Sequence, residues 1–225
     1  MKAFDFDNTL YRGESSLDFS LYMIRTNKKI LLYLPVIMAN TVKYKLCLVD
    51  RDKLGETITK YMKIIIRSKS EILHLVEEFW KTHADRLDPK MLRRVGPDDL
   101  IITAGPSFLL DGIRDRLGTQ NIISSEVDLD KKEITHFNFK ENKVRRFREL
   151  YGDAGIESFY TDSYNDRAVM EISEKVFLVK NGKIKARRAS RCAACGLPVR
   201  QHLPFRTRVH HLSQKGLPPE IKRIK

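Results

Sequence analysis

The sequence has little cysteine and no long uninterrupted apolar segment. Only three of its 225 residues are Cys, two of them in one short motif, which is too few for the disulfide framework of a small secreted domain. The most apolar stretch, residues 30–49, is broken by Pro35, Asn40 and two lysines and is barely long enough to cross a bilayer. No apolar signal segment opens the chain. We therefore expect a cytoplasmic protein without a transmembrane segment.

Acidic residues are scarce in the last part of the chain. The protein has 42 Lys and Arg against 29 Asp and Glu. Residues 183–225 hold twelve of the basic residues and one acid, Glu220, so residues 1–182 are nearly neutral. The basic character therefore belongs to a tail, for which we predict poor order and weak polyanion binding. No groove-reading motif accompanies the charge, so base-specific recognition of nucleic acid is not supported.

The same tail contains a short cluster of soft metal ligands. Cys192, Cys195 and His202 are residue types that bind Zn²⁺ tetrahedrally. The spacing to His202 is short and irregular, and no second Cys pair follows. A zinc site, a redox pair and a tail without either role all stay open as interpretations.

The rest of the chain reads as a strand, a long insertion, and then repeated strand and helix units. Residues 2–6 are a short apolar strand, and helical periodicity dominates from residue 15 to about residue 95. From residue 96 to residue 182, strands and helices alternate. This order predicts an α/β fold with a parallel sheet covered on both faces. We divide the chain into a core of residues 1–14 and 96–182, a helical insertion of residues 15–95, and the tail of residues 183–225.

Two carboxylates follow the first predicted strand. Asp5 and Asp7 are therefore placed at the carboxyl edge of the sheet, where open α/β sheets bind ligands. One carboxylate can attack phosphorus and form an aspartyl phosphate. A second carboxylate two residues later can protonate the leaving oxygen and then activate water. Alone, the pair also fits a simple cation site or a helix cap.

Two further groups suited to phosphate follow in the second half of the chain. Thr103, Ala104 and Gly105 end a predicted strand just before a helix, where a hydroxyl and free backbone N–H groups suit phosphate oxygens. Lys143 stands at the start of another predicted helix, where its ammonium can neutralise the charge of a transferring phosphoryl group. Lys140 is a rival for the same role. Each signal alone is more often ordinary turn or surface chemistry.

A last pair of carboxylates follows the strand around residues 158–162. Together with Asp5 and the backbone carbonyl of Asp7, Asp162 would complete an oxygen site for Mg²⁺. Asp166 is placed to hold Lys143 or a metal-bound water. We therefore predict Asp5, Asp7 and Asp162 as the metal ligands, with Asp166 behind them.

In this order, the motifs resemble the four motifs of the haloacid dehalogenase superfamily. They are Asp5-Phe6-Asp7-Asn8-Thr9-Leu10, Thr103-Ala104-Gly105, Lys143, and Asp162-Ser163-x-x-Asp166. The insertion directly after the first motif is similar to the cap of the phosphoserine-phosphatase-like branch, subfamily IB. The resemblance covers about four fifths of the chain, from residue 1 to about residue 179.

The resemblance implies a Rossmann-like core with a helical cap, Mg²⁺ as cofactor, and a HAD-type phosphatase acting on a small phosphorylated metabolite. Asp5 would be the nucleophile, Asp7 the acid and base, and Lys143 a catalytic ligand of the phosphate. The predicted phosphate and substrate site consists of Thr103, Ala104, Gly105, Asn8 and Glu14. Because the dehalogenases of the superfamily lack a second acid, Asp7 favours phosphoryl transfer.

Substrate choice stays open at this point. Glu14 lies where phosphoserine phosphatases are expected to meet the amino group of their substrate, but the cap has no convincing match for the residues that hold the serine carboxylate. The alternatives are phosphoserine, another small phosphomonoester, and a non-catalytic relative that retains the fold to present its basic tail to polyanions.

Overall fold

A single sheet of seven strands organises the protein. The computed structural model describes residues 1–26, 68–180 and 183–188, together with isolated helical positions 39, 56, 57, 59, 60 and 63. The strands are β1 (Lys2–Phe4), β2 (Leu100–Pro106), β3 (Ile122–Asp128), β4 (Glu133–His136), β5 (Ile156–Thr161), β6 (Ser173–Lys180) and β7 (Lys183–Arg188). They lie in the order β4-β3-β2-β1-β5-β6-β7. The five central strands are parallel, and β4 and β7 add an antiparallel strand at each edge.

The described helices connect and cover these strands. They are α1 (Ser15–Thr26), α2 (Lys69–His83), α3 (Pro89–Leu92), α4 (Ser107–Asp111), α5 (Glu141–Tyr151) and α6 (Arg167–Glu171). Ser68 caps α2 by accepting a hydrogen bond from the backbone N–H of Glu71, 3.2 Å away. The helix predicted after Gly105 is short in the structure: α4 ends at Asp111, and a 3₁₀ turn follows at Arg114–Arg116.

Apolar side chains fill both faces of the sheet. On one face, Phe79 and Trp80 of α2 pack into a cluster with Phe6. On the other face, Phe147 of α5 packs with Phe159 of β5. A sheet buried on both sides needs apolar residues in both directions of the pleat. The predicted α/β class with a mainly parallel, Rossmann-like sheet is confirmed.

The last strand lies inside the predicted tail. Lys183–Arg188 pairs with β6 over its whole length, from Lys180 opposite Lys183 to Lys175 opposite Arg188. The boundary placed after Gly182 is therefore wrong, because the hairpin carries the sheet six residues further. The four basic residues of this strand were attributed to a basic tail. Basic residues are also common on edge strands, so the composition did not distinguish the two.

Some predictions fall on parts of the chain that are not described. Residues 189–225, with Cys192, Cys195 and His202, lie outside the described residues. The apolar stretch of residues 30–49 is outside them as well, apart from position 39. No helix among the described residues is long and apolar enough to cross a membrane.

Residues 10–12 and 86–88 are the two linkers at the ends of the predicted insertion, and their backbones are hydrogen-bonded to each other. The backbone N–H of Arg12 donates to the carbonyl of Arg86 (2.8 Å), and that of Asp88 donates to the carbonyl of Leu10 (2.7 Å). Beyond the linkers, α1 and α2 pack together where the rings of Phe19 and Phe79 meet edge to face, 5.3 Å between centroids. Both rings belong to the main apolar cluster, so the ends of the insertion share the core of the sheet.

Candidate active site

The first motif forms a tight turn at the carboxyl end of β1. The backbone N–H of Asp5 donates to the carbonyl of Tyr160 at 2.8 Å, which keeps the chain in line with β5. The chain then turns at Asn8, which has φ 56°, a left-handed conformation that asparagine tolerates better than most residues. The backbone N–H groups of Leu10 and Tyr11 both donate to the carbonyl of Phe6. This turn leaves the carboxylates of Asp5 and Asp7 at the edge of the sheet.

Lys143 is buried between two carboxylates. Its Nζ lies 3.0 Å from Asp5 Oδ1 and 2.6 Å from Asp166 Oδ1, and the three side chains are 4%, 10% and 5% exposed. The other oxygen of Asp166 accepts a hydrogen bond from Thr161 Oγ1 at 2.9 Å. Lys140, the rival predicted from sequence, is exposed, with its Nζ 5.5 Å from the centre of the Phe139 ring. The structure therefore brings Lys143, and not Lys140, to Asp5.

Burial and crowding of like charges shift the pKa values of this cluster. Burial raises the pKa of Asp5 well above its usual value, and the charges of Asp166 and Asp7 add to the shift that Lys143 opposes. Burial alone would lower the pKa of Lys143, but the charges of Asp5 and Asp166 outweigh it and raise that pKa. Lys143 is thus held firmly as a cation.

Asp7 occupies a separate, partly exposed position. Its Oδ1 accepts a hydrogen bond from the backbone N–H of Ser15 at 2.7 Å, at the first residue of α1. A helix N-terminus has free N–H groups and favours a negative charge. Burial nevertheless raises the pKa of Asp7 to about 6, and hydrogen bonding with Ser15 opposes this shift. A carboxyl group that titrates near neutral pH can both give and take a proton.

The second motif lies on the neighbouring strand. Thr103 is buried, and its Oγ1 accepts a hydrogen bond from the backbone N–H of Gly105 at 3.0 Å. This N–H group is therefore engaged by the threonine, whereas the sequence predicted free N–H groups here. The hydroxyl hydrogen of Thr103 stays available to donate. A Cβ at Gly105 would lie 3.4 Å from Thr103 Oγ1 and 3.3 Å from Leu110 Cδ1, so glycine keeps this approach open.

A buried network that sequence reasoning missed holds the Thr103 loop in place. Asn138 Nδ2 donates to the carbonyls of Thr103 (2.7 Å) and Ile123 (3.1 Å). Ser125 Oγ donates to the carbonyl of Ala104 at 2.8 Å and accepts from the backbone N–H of Asn138 at 3.0 Å. These bonds replace the ladder where β2 and β3 lose register between Ile102 and Pro106. No local pattern marks Asn138 as a partner of a strand 35 residues earlier.

The remaining predicted residues are Asn8, Glu14 and Asp162. Asn8 Nδ2 donates to Glu14 Oε1 at 2.8 Å. Burial raises the pKa of Asp162 to about 6, and the negative charges of Glu14 and Asp166 raise it further. Asn8 and Asp162 both line a cleft of about 830 Å³ that opens beside the site. The structure thus brings Asp5, Lys143 and Asp166 into direct contact, and Asn8 and Asp162 share the adjoining cleft. Cys192, Cys195 and His202 lie outside the described residues.

The donor set of this site suits a hard divalent cation. Five carboxylates influence one another here, and Lys143 is the one cation that opposes them among the described residues: Asp5, Asp7, Glu14, Asp162 and Asp166. No three His, Cys, Asp or Glu side chains converge as metal ligands within the described part of the chain. Mg²⁺ does not need such a cage, because it binds through one or two carboxylates and keeps water and phosphate oxygens. Asp5 and Asp162 are carboxylates of the kind it selects.

Comparison with known proteins gives a family match and several similar folds. Residues 3–171 match the family model described as haloacid dehalogenase-like hydrolase. A protein with unknown function from Bordetella pertussis Tohama I is similar over 76% of this chain and 85% of its own, with TM-score 0.63 and 20% identity. A phosphoserine phosphohydrolase-like protein from Francisella tularensis subsp. tularensis SCHU S4 matches over 78% and 86%, with TM-score 0.54 and 23% identity.

A probable phosphoserine phosphatase from Vibrio cholerae is also similar, over 78% of this chain and 55% of its own, with TM-score 0.53 and 10% identity. Similarities at these identities show a shared fold. No curated protein sequence matches the chain.

Proposed function

This chain belongs to the haloacid dehalogenase-like hydrolase family, and we propose that it is a Mg²⁺-dependent phosphomonoesterase that works through an aspartyl phosphate on Asp5. The observation that carries the proposal is the buried contact of Lys143 with Asp5 at 3.0 Å and with Asp166 at 2.6 Å. Burying three charged groups is costly. A protein that kept the fold only to present a basic tail would gain nothing from that cost.

In the first step, a carboxylate oxygen of Asp5 attacks phosphorus. A bond forms between this oxygen and phosphorus, and the bond from phosphorus to the leaving oxygen breaks. The departing oxygen takes a proton from Asp7, whose raised pKa of about 6 suits a general acid. Asp5 then carries the phosphoryl group, and the alcohol is released.

In the second step, water removes the phosphoryl group from Asp5. Asp7 is now ionised and takes a proton from the water, whose oxygen bonds to phosphorus. The bond between phosphorus and the Asp5 oxygen breaks, and inorganic phosphate leaves. One ester and one water have become one alcohol and one phosphate, and both aspartates regain their initial states.

Other residues of the site hold the phosphoryl group while the bonds change. Lys143 carries a fixed positive charge beside Asp5, and the hydroxyl of Thr103 has a hydrogen to donate from the adjacent strand. Mg²⁺, held by Asp5, the backbone carbonyl of Asp7 and Asp162, would neutralise charge on the phosphoryl oxygens. Asn8, Ala104 and Gly105 complete the proposed phosphate site.

We place the enzyme in the phosphoserine-phosphatase-like branch, with a cap formed by the insertion of residues 15–95 and a cytoplasmic location. Two proteins with similar structures are a phosphoserine phosphohydrolase-like protein and a probable phosphoserine phosphatase. Glu14 supports a substrate with an amino group, although Asn8 already donates to its carboxylate. Phosphoserine itself is the narrower candidate, and hydrolysis of O-phosphoserine tests it directly.

The proposal is tested by hydrolysis of aryl phosphates with and without Mg²⁺. Asp5→Asn should reduce turnover to background, and Asp7→Asn should slow it by about 10²-fold or more. The loss at Asp7 should be larger for phenyl phosphate than for p-nitrophenyl phosphate, because phenolate needs protonation more. The exposed Asp153→Asn variant is the matched control. Turnover that is independent of Mg²⁺, or that survives in Asp5→Asn, contradicts the proposal.

A further inference from the structure

Four of the ten residues that line the cleft beside the active site are basic. It measures about 830 Å³ and begins at Asn8 and Asp162, which also belong to the site. From there it extends to Lys90, to Lys180 at the end of β6 and to Lys183 at the start of β7. A cleft that shares a wall with the reacting groups is where the leaving group of a substrate would lie.

The described residues do not balance all the positive charges of this cleft. Arg12 Nε lies 3.4 Å from Asp88 Oδ2, so this pair is matched. Lys90, Lys180 and Lys183 are exposed and form no salt bridge with any described residue. If Asp162 binds a cation, three positive charges stay without a counter-charge. Such a surface attracts an anion.

Two of these lysines are held against each other by the hairpin. Lys180 and Lys183 are direct partners in the antiparallel register of β6 and β7, so their side chains stand on the same face of the sheet. Like charges that are directly opposite destabilise a strand pair. An anion bound between them would remove this repulsion.

The volume of the cleft indicates the size of the group that it can hold. Pockets of about 300–1,000 Å³ accommodate drug-sized ligands, so this cleft has room for a leaving group larger than the side chain of serine. We propose that the substrate is a phosphomonoester whose leaving group carries a second anionic group, phosphate or carboxylate, bound by Lys90, Lys180 and Lys183. This inference rests on the proposed phosphatase activity.

The experiment uses the full chain and matched synthetic substrates. The series comprises the monophosphates of straight-chain alkanediols with three to six carbons, the corresponding bisphosphates, and ω-phosphooxy carboxylates of equal length. A symmetric bisphosphate has two reacting ends, so a ratio of about two in kcat/KM is expected without any second site. With the site, the best bisphosphate should exceed its monophosphate by about tenfold or more, as charged hydrogen bonds allow. Comparison of the ω-phosphooxy carboxylates with the bisphosphates shows whether the cleft prefers a carboxylate or a phosphate.

Two double variants distinguish an effect of the cleft from an effect of the net charge of the protein. Lys180→Gln/Lys183→Gln should bring the ratio down to about two. Lys131→Gln/Lys175→Gln, at exposed positions outside the cleft, changes the net charge equally and should leave the ratio unchanged. Because the ratio is measured within one sample, partial misfolding of a variant does not affect it.

Each outcome decides the question. A gain for either anion in the wild type that is lost only in the Lys180/Lys183 pair supports the inference. A ratio near two in the wild type, or equal ratios in both pairs, overturns it while hydrolysis of the monophosphates still supports the phosphatase. Absence of hydrolysis of every substrate, aryl phosphates included, overturns the proposed function and this inference together.

Discussion

Replacing Lys143 with methionine removes the one cation from a buried cluster. Methionine fills much of the same volume, but Asp5 and Asp166 lose the ammonium that lies 3.0 and 2.6 Å from their oxygens. Their side chains are 10% and 5% exposed, so water can hardly replace the lost partner. The perturbation therefore leaves two carboxylates facing each other in a dry environment.

The expected loss of stability follows from this stranded charge. Breaking a buried ion pair by removing one partner costs about 3–5 kcal/mol. Both carboxylates can take up protons, which places the expected loss near the lower end, about 3 kcal/mol. For a protein of this size, such a loss lowers Tm by roughly 6–12 °C.

Urea denaturation followed by tryptophan fluorescence measures this loss. Trp80 is the single tryptophan of the chain, and it is 4% exposed in the apolar cluster. Lys140→Met is the control, since the Phe139 ring is the one described partner of this exposed side chain, and its loss should cost less than about 1 kcal/mol. Adding Asp166→Asn to Lys143→Met removes one stranded carboxylate and should restore part of the stability.

The reasoning about stranded charge is refuted by either of two results. One is a midpoint for Lys143→Met that equals the midpoint for Lys140→Met at an unchanged m-value. The other is a double variant, with Asp166→Asn, that is less stable than Lys143→Met alone.

Two further substitutions test the packing around Gly112 and the hydrogen bonding of the Asp99 carboxylate. Gly112→Ala should cost about 1–3 kcal/mol in the same urea assay, because its Cβ would lie 2.5 Å from Val76 Cγ1. Gly155→Ala is the control and should be nearly neutral, since its Cβ would have nothing within 4 Å. Equal denaturation midpoints for the two variants would contradict this prediction. Asp99→Asn should also cost about 1–3 kcal/mol near neutral pH, since Asp99 accepts from the backbone N–H of Lys2 at 2.9 Å. Burial alone raises the pKa of Asp99, but hydrogen bonds outweigh it and lower that pKa. The stabilisation is present above the unfolded pKa and is lost as pH falls through the folded pKa, so the difference from wild type should shrink between about pH 5 and pH 2; a constant difference would contradict the assignment.

Much of the candidate active site was predictable because its residues lie at or near the ends of predictable strands. Buried strands have a clear apolar pattern, and parallel strands bring their carboxyl ends to one edge. Asp5 and Asp162 follow two such strands, Thr103 lies within a third, and the sheet places β1 between β2 and β5. Adjacency in space therefore followed from topology, without any knowledge of side-chain contacts.

The supporting contacts were not predictable, because they depend on tertiary geometry. The pairing of Ser15 with Asp7 needs the exact direction in which α1 starts, and Asn138 reaches back to a strand far away in sequence. The choice between Lys140 and Lys143 depends on which helix face turns inward, which one residue of error in the helix start would change. Strand β7 was concealed by its composition.

The pairing of the two linkers also affects how well the fold tolerates insertions and deletions between them. The bonds from Arg12 to Arg86 and from Asp88 to Leu10 join the places where the chain leaves the core and returns to it. These bonds close the chain between Arg12 and Arg86 into a loop, and each doubling of loop length adds only about 0.6 kcal/mol of closure entropy. A change in the number of residues between α1 and α2 should therefore cost little stability. We expect this length to vary among relatives while the residues around Asp5 keep their positions.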